Sequence, residues 1–96
     1  MKINLTTLKF TAKDELKEFV EEKISKLSRF NDKIISAEVI LFSEDPKIPQ
    51  NKFCEIRLIV PGYDDFVKKN GESFEEAILS AVDTMQNILQ RKKLRA

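Results

Sequence analysis

The apolar residues of this chain keep two different periods, and the order in which those periods alternate confines the fold more than any other feature. Ile3 and Leu5 alternate with polar neighbours over Lys2 to Thr6, the two-residue period of a half-buried strand. From Thr11 the period lengthens. Leu16, Phe19, Val20, Ile24 and Leu27 fall at helical spacing, with Glu15, Glu18, Glu22, Ser25 and Arg29 on the other side. Thr11, three residues before Asp14, is the expected N-cap. Alternation returns in Ile35, Ala37, Val39 and Leu41, and again in Cys54, Ile56, Leu58 and Val60. Between these strands, Ser43 to Asn51 is rich in turn residues, and Pro46 and Pro49 cannot donate to a sheet ladder, so this loop is expected to be the most mobile segment. Pro61-Gly62 marks a turn, Phe66 to Lys69 can form one more short strand, and Asn70-Gly71 is expected to end it.

Ser73-Phe74-Glu75-Glu76 fits a capping box, in which the Ser hydroxyl and the Glu carboxylate satisfy free amide donors at a helix start. The stripe Phe74, Ala77, Ile78, Ala81, Val82, Met85, Ile88 and Leu89 follows, carrying a helix that can run to Leu94. The order is therefore β-α-β-β-β-α, with no repeat, linker or low-complexity tract. At 96 residues, 42% hydrophobic and 34% charged, the chain is expected to form one domain over residues 1–96 with a single two-layer core. Connection rules give it an α+β architecture. A right-handed crossover sets the first two strands parallel, the later strands form an antiparallel meander, and two parallel helices pack on one face of a four-stranded mixed sheet.

Seventeen Lys and Arg against sixteen Asp and Glu leave a net charge of +1, which on its face argues against a nucleic-acid partner. The charge is segregated, with eight basic against six acidic residues in 1–33, three against six in 34–66, and six against four in 67–96. Parallel helices place their C-terminal ends at one edge. Lys23, Lys26, Arg29 and Lys33 sit towards the end of the first helix and its exit, and Arg91, Lys92, Lys93 and Arg95 end the second. Glu15, Glu18, Glu21 and Glu22 crowd the opposite end of the first helix, as Glu72, Glu75 and Glu76 do for the second. Such a pattern can compensate the helix macrodipoles without any partner. Four cations among the last six residues nevertheless exceed what one helix end uses, and their mutual repulsion points to an anionic partner.

Catalytic chemistry is poorly represented. There is no His, so the usual general base near neutral pH and the commonest metal ligand are missing. The lone Cys54 alternates with Ile56 and Leu58 as a core residue would, and the only glycines, Gly62 and Gly71, make no phosphate loop. Asp64 and Asp65 read as solvated carboxylates after a turn. Neither an enzyme, a metal, a cofactor nor a small-molecule substrate is expected. No apolar run approaches the roughly 20 residues of a membrane span, and MKINLTTLKF lacks the features of a signal peptide, so the expectation is a cytoplasmic protein with no membrane partner. Phe42 and Phe53, with Ile40 and Ile59, fall on the strand face opposite the helices. Three roles fit them: partial burial, a patch for weak self-association, or base stacking, although the glycine-aromatic motif of RNA-binding sheets is absent.

The element order, the opening KINLT, the stretch EEKISKLSRFNDKI, the run CEIRLIVPG and the late ESFEEAILSAVD resemble the ribosome hibernation-promoting factors, also described as ribosome-associated inhibitors, over nearly the whole chain. The likeness is to the short, single-domain members. It implies a stationary-phase or stress protein that occupies the mRNA and tRNA channel of the small ribosomal subunit and touches rRNA phosphates through basic residues on both helices. Carried over, Lys23, Lys26 and Arg29 match that pattern on the first helix, and Arg91, Lys93 and Arg95 on the second, while Lys92 approaches the apolar stripe. Thr84, Gln86 and Asn87 stand where relatives usually carry basic residues, and the chain ends at Ala96, directly after the second helix. By that likeness, ribosome dimerisation by this chain alone would need a conformational effect on the head of the small subunit. Two competitors remain: an interaction module of the same fold with weakened RNA binding, associating through the open sheet face, and a general double-stranded RNA binder.

Overall fold

In the computed structural model, which describes the backbone of residues 1–95 and the side chains of residues 1–93, the elements are β1 (Lys2–Thr7), α1 (Asp14–Ser25), a 3-10 turn (Lys26–Arg29), β2 (Ser36–Ser43), β3 (Lys52–Val60), β4 (Tyr63–Gly71) and α2 (Phe74–Arg95). The sheet order is β1-β2-β3-β4, with β1 and β2 parallel and the later neighbours antiparallel. This is the expected mixed sheet, and α1 supplies the long crossover that a parallel pair requires. Val20, Ile24 and Leu27 from the first helical segment and Ala77, Ile78, Ala81, Met85 and Leu89 from α2 meet Ala37, Val39, Leu41, Cys54, Ile56, Leu58 and Val60 in one core. Both helices therefore cover the same face.

Four local expectations need correction. Thr11 does not cap α1. Lys13 takes that position with extended backbone and no side-chain cap, its carbonyl accepting the N–H groups of Leu16 and Lys17 at 3.0 and 3.1 Å. Ala12 is buried, so the chain is still packing as an extended segment when it passes Thr11. Ile35 is 58% exposed while Ile34 is buried, because β2 begins only at Ser36 and the chain enters it from the bend at Asn31 to Lys33. The last strand is also longer than expected. Val60 pairs with Tyr63 across Pro61-Gly62, and Gly62 has φ +89°, the residue pattern of a type II turn with Pro first and Gly second. That two-residue connection fixes the register of β4 on β3 and overrides the weak strand propensity of Asp64, Asp65 and Asn70. Finally, Gly71 ends β4 rather than breaking it earlier. A Cβ there would stand 2.9 Å from Glu76 Cγ and 3.1 Å from the Ala77 amide nitrogen, so glycine permits the close approach of β4 to the start of α2.

The α2 cap is close to expectation. The Glu76 N–H donates to Ser73 Oγ at 3.1 Å, while Glu76 Oε2 accepts from the Glu72 N–H at 3.4 Å, one residue beyond the usual reciprocal partner.

Candidate nucleic-acid interface

The two helices follow upward strands and run back in the same direction, so their C-terminal ends and the β3–β4 turn converge on one edge. A groove of about 670 Å³ lies there, walled by Arg29 and Lys33 from the exit of α1, Tyr63 from the start of β4, and Lys92 and Lys93 from α2, with Asp32 also on its wall. The 3-10 turn delivers Arg29 to this edge. Ser25 Oγ donates to the Glu22 carbonyl at 3.0 Å and Ser28 Oγ to the Ser25 carbonyl at 2.8 Å, two local side-chain bonds that bracket the point where the helix tightens.

Of the eight basic residues singled out by sequence, the groove brings together Arg29, Lys33, Lys92 and Lys93. Lys23 does not line it. Its ammonium lies 3.5 Å from Glu22 and 5.5 Å from the Phe19 ring centroid, and its side chain is only 24% exposed. Lys26 is half-buried in the 3-10 turn and also stands off the groove wall. Arg91 is exposed and directs Nε to the Asn87 carbonyl at 3.3 Å, one turn back along α2. The side chain of Arg95 lies outside the described residues.

Asp64 and Asp65 are not turn carboxylates: both belong to β4. Asp64 is exposed, with Arg57 Nη1 at 3.6 Å. Asp65 is 7% exposed, and its Oδ1 accepts a hydrogen bond from the Lys92 ammonium. Its Oδ2 is buried without a hydrogen-bond partner. The Lys92 ammonium also sits 4.1 Å from the centroid of the Tyr63 ring. The signal for this arrangement was the two-residue period, since Asp65 shares its parity with Val67, but it is visible only once β4 is known to begin before Asp65. Cys54 is buried as expected; its burial, and secondarily the neighbouring Glu55 charge, push the thiol up to about 12, which keeps it neutral and unreactive.

On the open face of the sheet, Phe42 and Phe53 stack with centroids 5.1 Å apart and planes 6° apart. Both rings are half-buried, and the Lys68 ammonium covers them at 5.5 and 5.1 Å. Phe66, 46% exposed, carries the Arg57 guanidinium at 5.0 Å. Among the described residues, no helix is long and apolar enough to cross a membrane.

Comparison with known proteins agrees with this architecture. Residues 3–96 match the family described as sigma 54 modulation protein / S30EA ribosomal protein. The chain is 34% identical over 95 residues to the ribosome hibernation promoting factor of Azotobacter vinelandii, covering 99% of this chain and 81% of that protein. It is also 30% identical over 78 residues to UBX domain-containing protein 6 of Caenorhabditis elegans, covering 72% of this chain but spanning only 18% of that protein. Among solved structures, the N-terminal domain of Thermus thermophilus Protein Y superposes with a TM-score of 0.80 at 26% identity, covering 95% of this chain and 98% of the other. A ribosomal subunit interface protein from Coxiella burnetii shares the fold, with a TM-score of 0.84 at 17% identity over 98% and 99% of the two chains. The chain belongs to the sigma 54 modulation protein / S30EA ribosomal protein family, that of the ribosome hibernation promoting factors.

Proposed function

We propose that this protein is a cytoplasmic, ribosome-binding translation inhibitor that sits in the mRNA and tRNA channel of the small subunit during stress or stationary phase and acts by occupancy rather than catalysis. The observation that carries this reading is the basic groove, where the ends of two parallel helices and the β3–β4 turn gather Arg29, Lys33 and Lys93 on one concave wall, with Lys92 beside them bonded to Asp65. A concave basic wall can straddle a phosphate backbone. The overall charge of +1 gives little attraction to nucleic acid in general, so binding depends on an RNA surface that fits this pole. Relatives named for ribosome hibernation and the ribosomal subunit interface support the choice of target. Lys23, Lys26 and Arg91, on the helices beside the groove, extend the same surface in this proposal, as Arg95 does by its place in the sequence.

Co-sedimentation with purified small subunits tests it. With about five side chains meeting phosphates, log affinity falls with log salt at a slope near −4, or about 10²-fold between roughly 50 and 200 mM. Absence of pelleting at the lower salt removes the proposal, and equal competition by a plain RNA duplex would make the protein a general duplex binder instead.

The open sheet face favours a second reading, weak pairing with another copy of this chain. By the sheet register, Lys2 and Asp64 occupy the outer strands of one row, Glu38 and Arg57 the inner strands of the next, and Phe42 and Phe53 the inner strands of the last. A two-fold axis along the strands between β2 and β3 would set Lys2 against Asp64, Glu38 against Arg57 and Phe42 against Phe53 of the second copy. Sedimentation velocity over a concentration series checks this: association abolished by Ile40→Glu or Phe42→Glu with small-subunit pelleting retained supports it, and a monomer at every concentration excludes it.

A further inference from the structure

Lys92 stands in the groove wall with three other cations, yet its surroundings differ from theirs. Its ammonium is bonded to Asp65 and lies over the Tyr63 ring. Asp65 projects from the helix-facing side of β4, in register with buried Leu58 and two residues from buried Val67. It is the one buried charged residue among the described residues, and its second oxygen has no hydrogen-bond partner. A carboxylate so enclosed depends on Lys92 for its charge compensation, because no other cation forms an ion pair with it among the described residues. Releasing Lys92 to an external phosphate would leave that carboxylate buried and unpaired.

We infer that Asp65 is a positioning residue that withdraws Lys92 from anion binding, so that Lys92 acts as a strut joining α2 to β4 and the groove presents Arg29, Lys33 and Lys93 as its phosphate contacts. This rests on the proposal that the groove binds RNA. Asp65 then sets the number of cations offered, and with it the threshold between a matched RNA surface and any polyanion.

The experiment compares the salt slope of small-subunit binding for four proteins. Lys93→Gln lowers the slope by about one. The double variant Asp65→Leu/Lys92→Met removes the strut as a pair, a replacement that buried ion pairs tolerate, and leaves the slope at the wild-type value. Asp65→Asn frees Lys92 and steepens the slope by about one, with several-fold tighter binding at low salt. A double variant that loses as much slope as Lys93→Gln would overturn the inference, since Lys92 would then be a phosphate contact. A second readout is independent of the ribosome. In ¹⁵N spectra of the lysine ammonium groups, Lys92 is expected to show a ring-shifted signal with slowed proton exchange that Asp65→Asn abolishes, and that stays in place as pyrophosphate moves the Lys33 and Lys93 signals. A Lys92 signal that moves with them overturns the inference. Failure of the wild type to pellet while the Lys92 signal behaves as stated removes the ribosomal target and keeps the strut.

Discussion

Asp64 and Asp65 are the same side chain one residue apart, each facing a cation, and they occupy opposite physical regimes. The pleat of β4 turns Asp64 to the open face, where its side chain is 46% exposed and that of Arg57 is 49% exposed at 3.6 Å. The next residue turns under α2, where the Asp65 side chain is 7% exposed and its partner Lys92 is 44% exposed. In water the first pair gains little, because solvent screens it and both side chains lose freedom to form it. Beneath the helix, the carboxylate has given up its hydration, and the Lys92 bond offsets part of that cost. A salt bridge on this sheet therefore means something different on each face, and the face follows from residue parity.

The largest effect expected on breaking this contrast comes from Lys92→Ala, which strands the Asp65 charge. Loss of one member of a buried pair costs about 3 kcal/mol, towards the low end of the usual range because water reaches the half-exposed ammonium. Urea denaturation monitored by circular dichroism measures it, and a loss below about 1 kcal/mol would mean that Asp65 is better solvated than its burial indicates. Gly71→Ala probes the same covered side of β4 at its far end. The added carbon would lie 2.9 Å from Glu76 Cγ and 3.1 Å from the Ala77 amide nitrogen, so the start of α2 must shift. The expected cost is about 2 kcal/mol, as for overpacking elsewhere.

The fold was largely legible because the periods of two and 3.6 are strong signals where Val, Ile and Leu carry them, as in Val39, Ile56 and Ile78. Legibility was partial in β4, where the expected strand covered only Phe66 to Lys69 and the observed one, Tyr63 to Gly71, also takes in Asp64, Asp65, Asn70 and Gly71. Phe66 to Lys69 and the Pro61-Gly62 turn are readable locally, but the polar or small residues at either end leave the strand's full length to be revealed by its pairing with β3. The candidate site divided along the same line. Helix direction, readable from sequence, brings Arg29, Lys33, Lys92 and Lys93 to one edge. Which cations share a groove wall and which is held by a carboxylate depended on a contact between residues 65 and 92 that no local pattern encodes.

Cys54 extends the contrast to a group with no cationic partner. It lies on the covered face and stays neutral, with its thiol pushed up to about 12 by burial. Because the folded thiol holds its proton more tightly than the unfolded one, this contribution to stability is complete below about pH 9 and declines as pH rises towards 12. By pH 10 the wild type is expected to have lost about 1.4 kcal/mol that Cys54→Ala does not lose, which parallel urea titrations at pH 7 and 10 would reveal.

The smallest effect belongs to Asp64→Asn. This change removes the charge facing Arg57 while keeping a polar side chain of nearly the same size, so neither packing nor burial alters. Arg57 keeps its place over the Phe66 ring, 5.0 Å from the centroid, and does not rely on Asp64 for its position. The expected loss is under about 0.5 kcal/mol and vanishes in high salt, where an exposed pair is fully screened. Measured beside Asp65→Asn in one denaturation series, it isolates what the pleat contributes, since the two substitutions are chemically identical. A loss at Asp64 as large as that at Asp65 would mean that the open face is covered in solution, as pairing with a second copy across Arg57 would require.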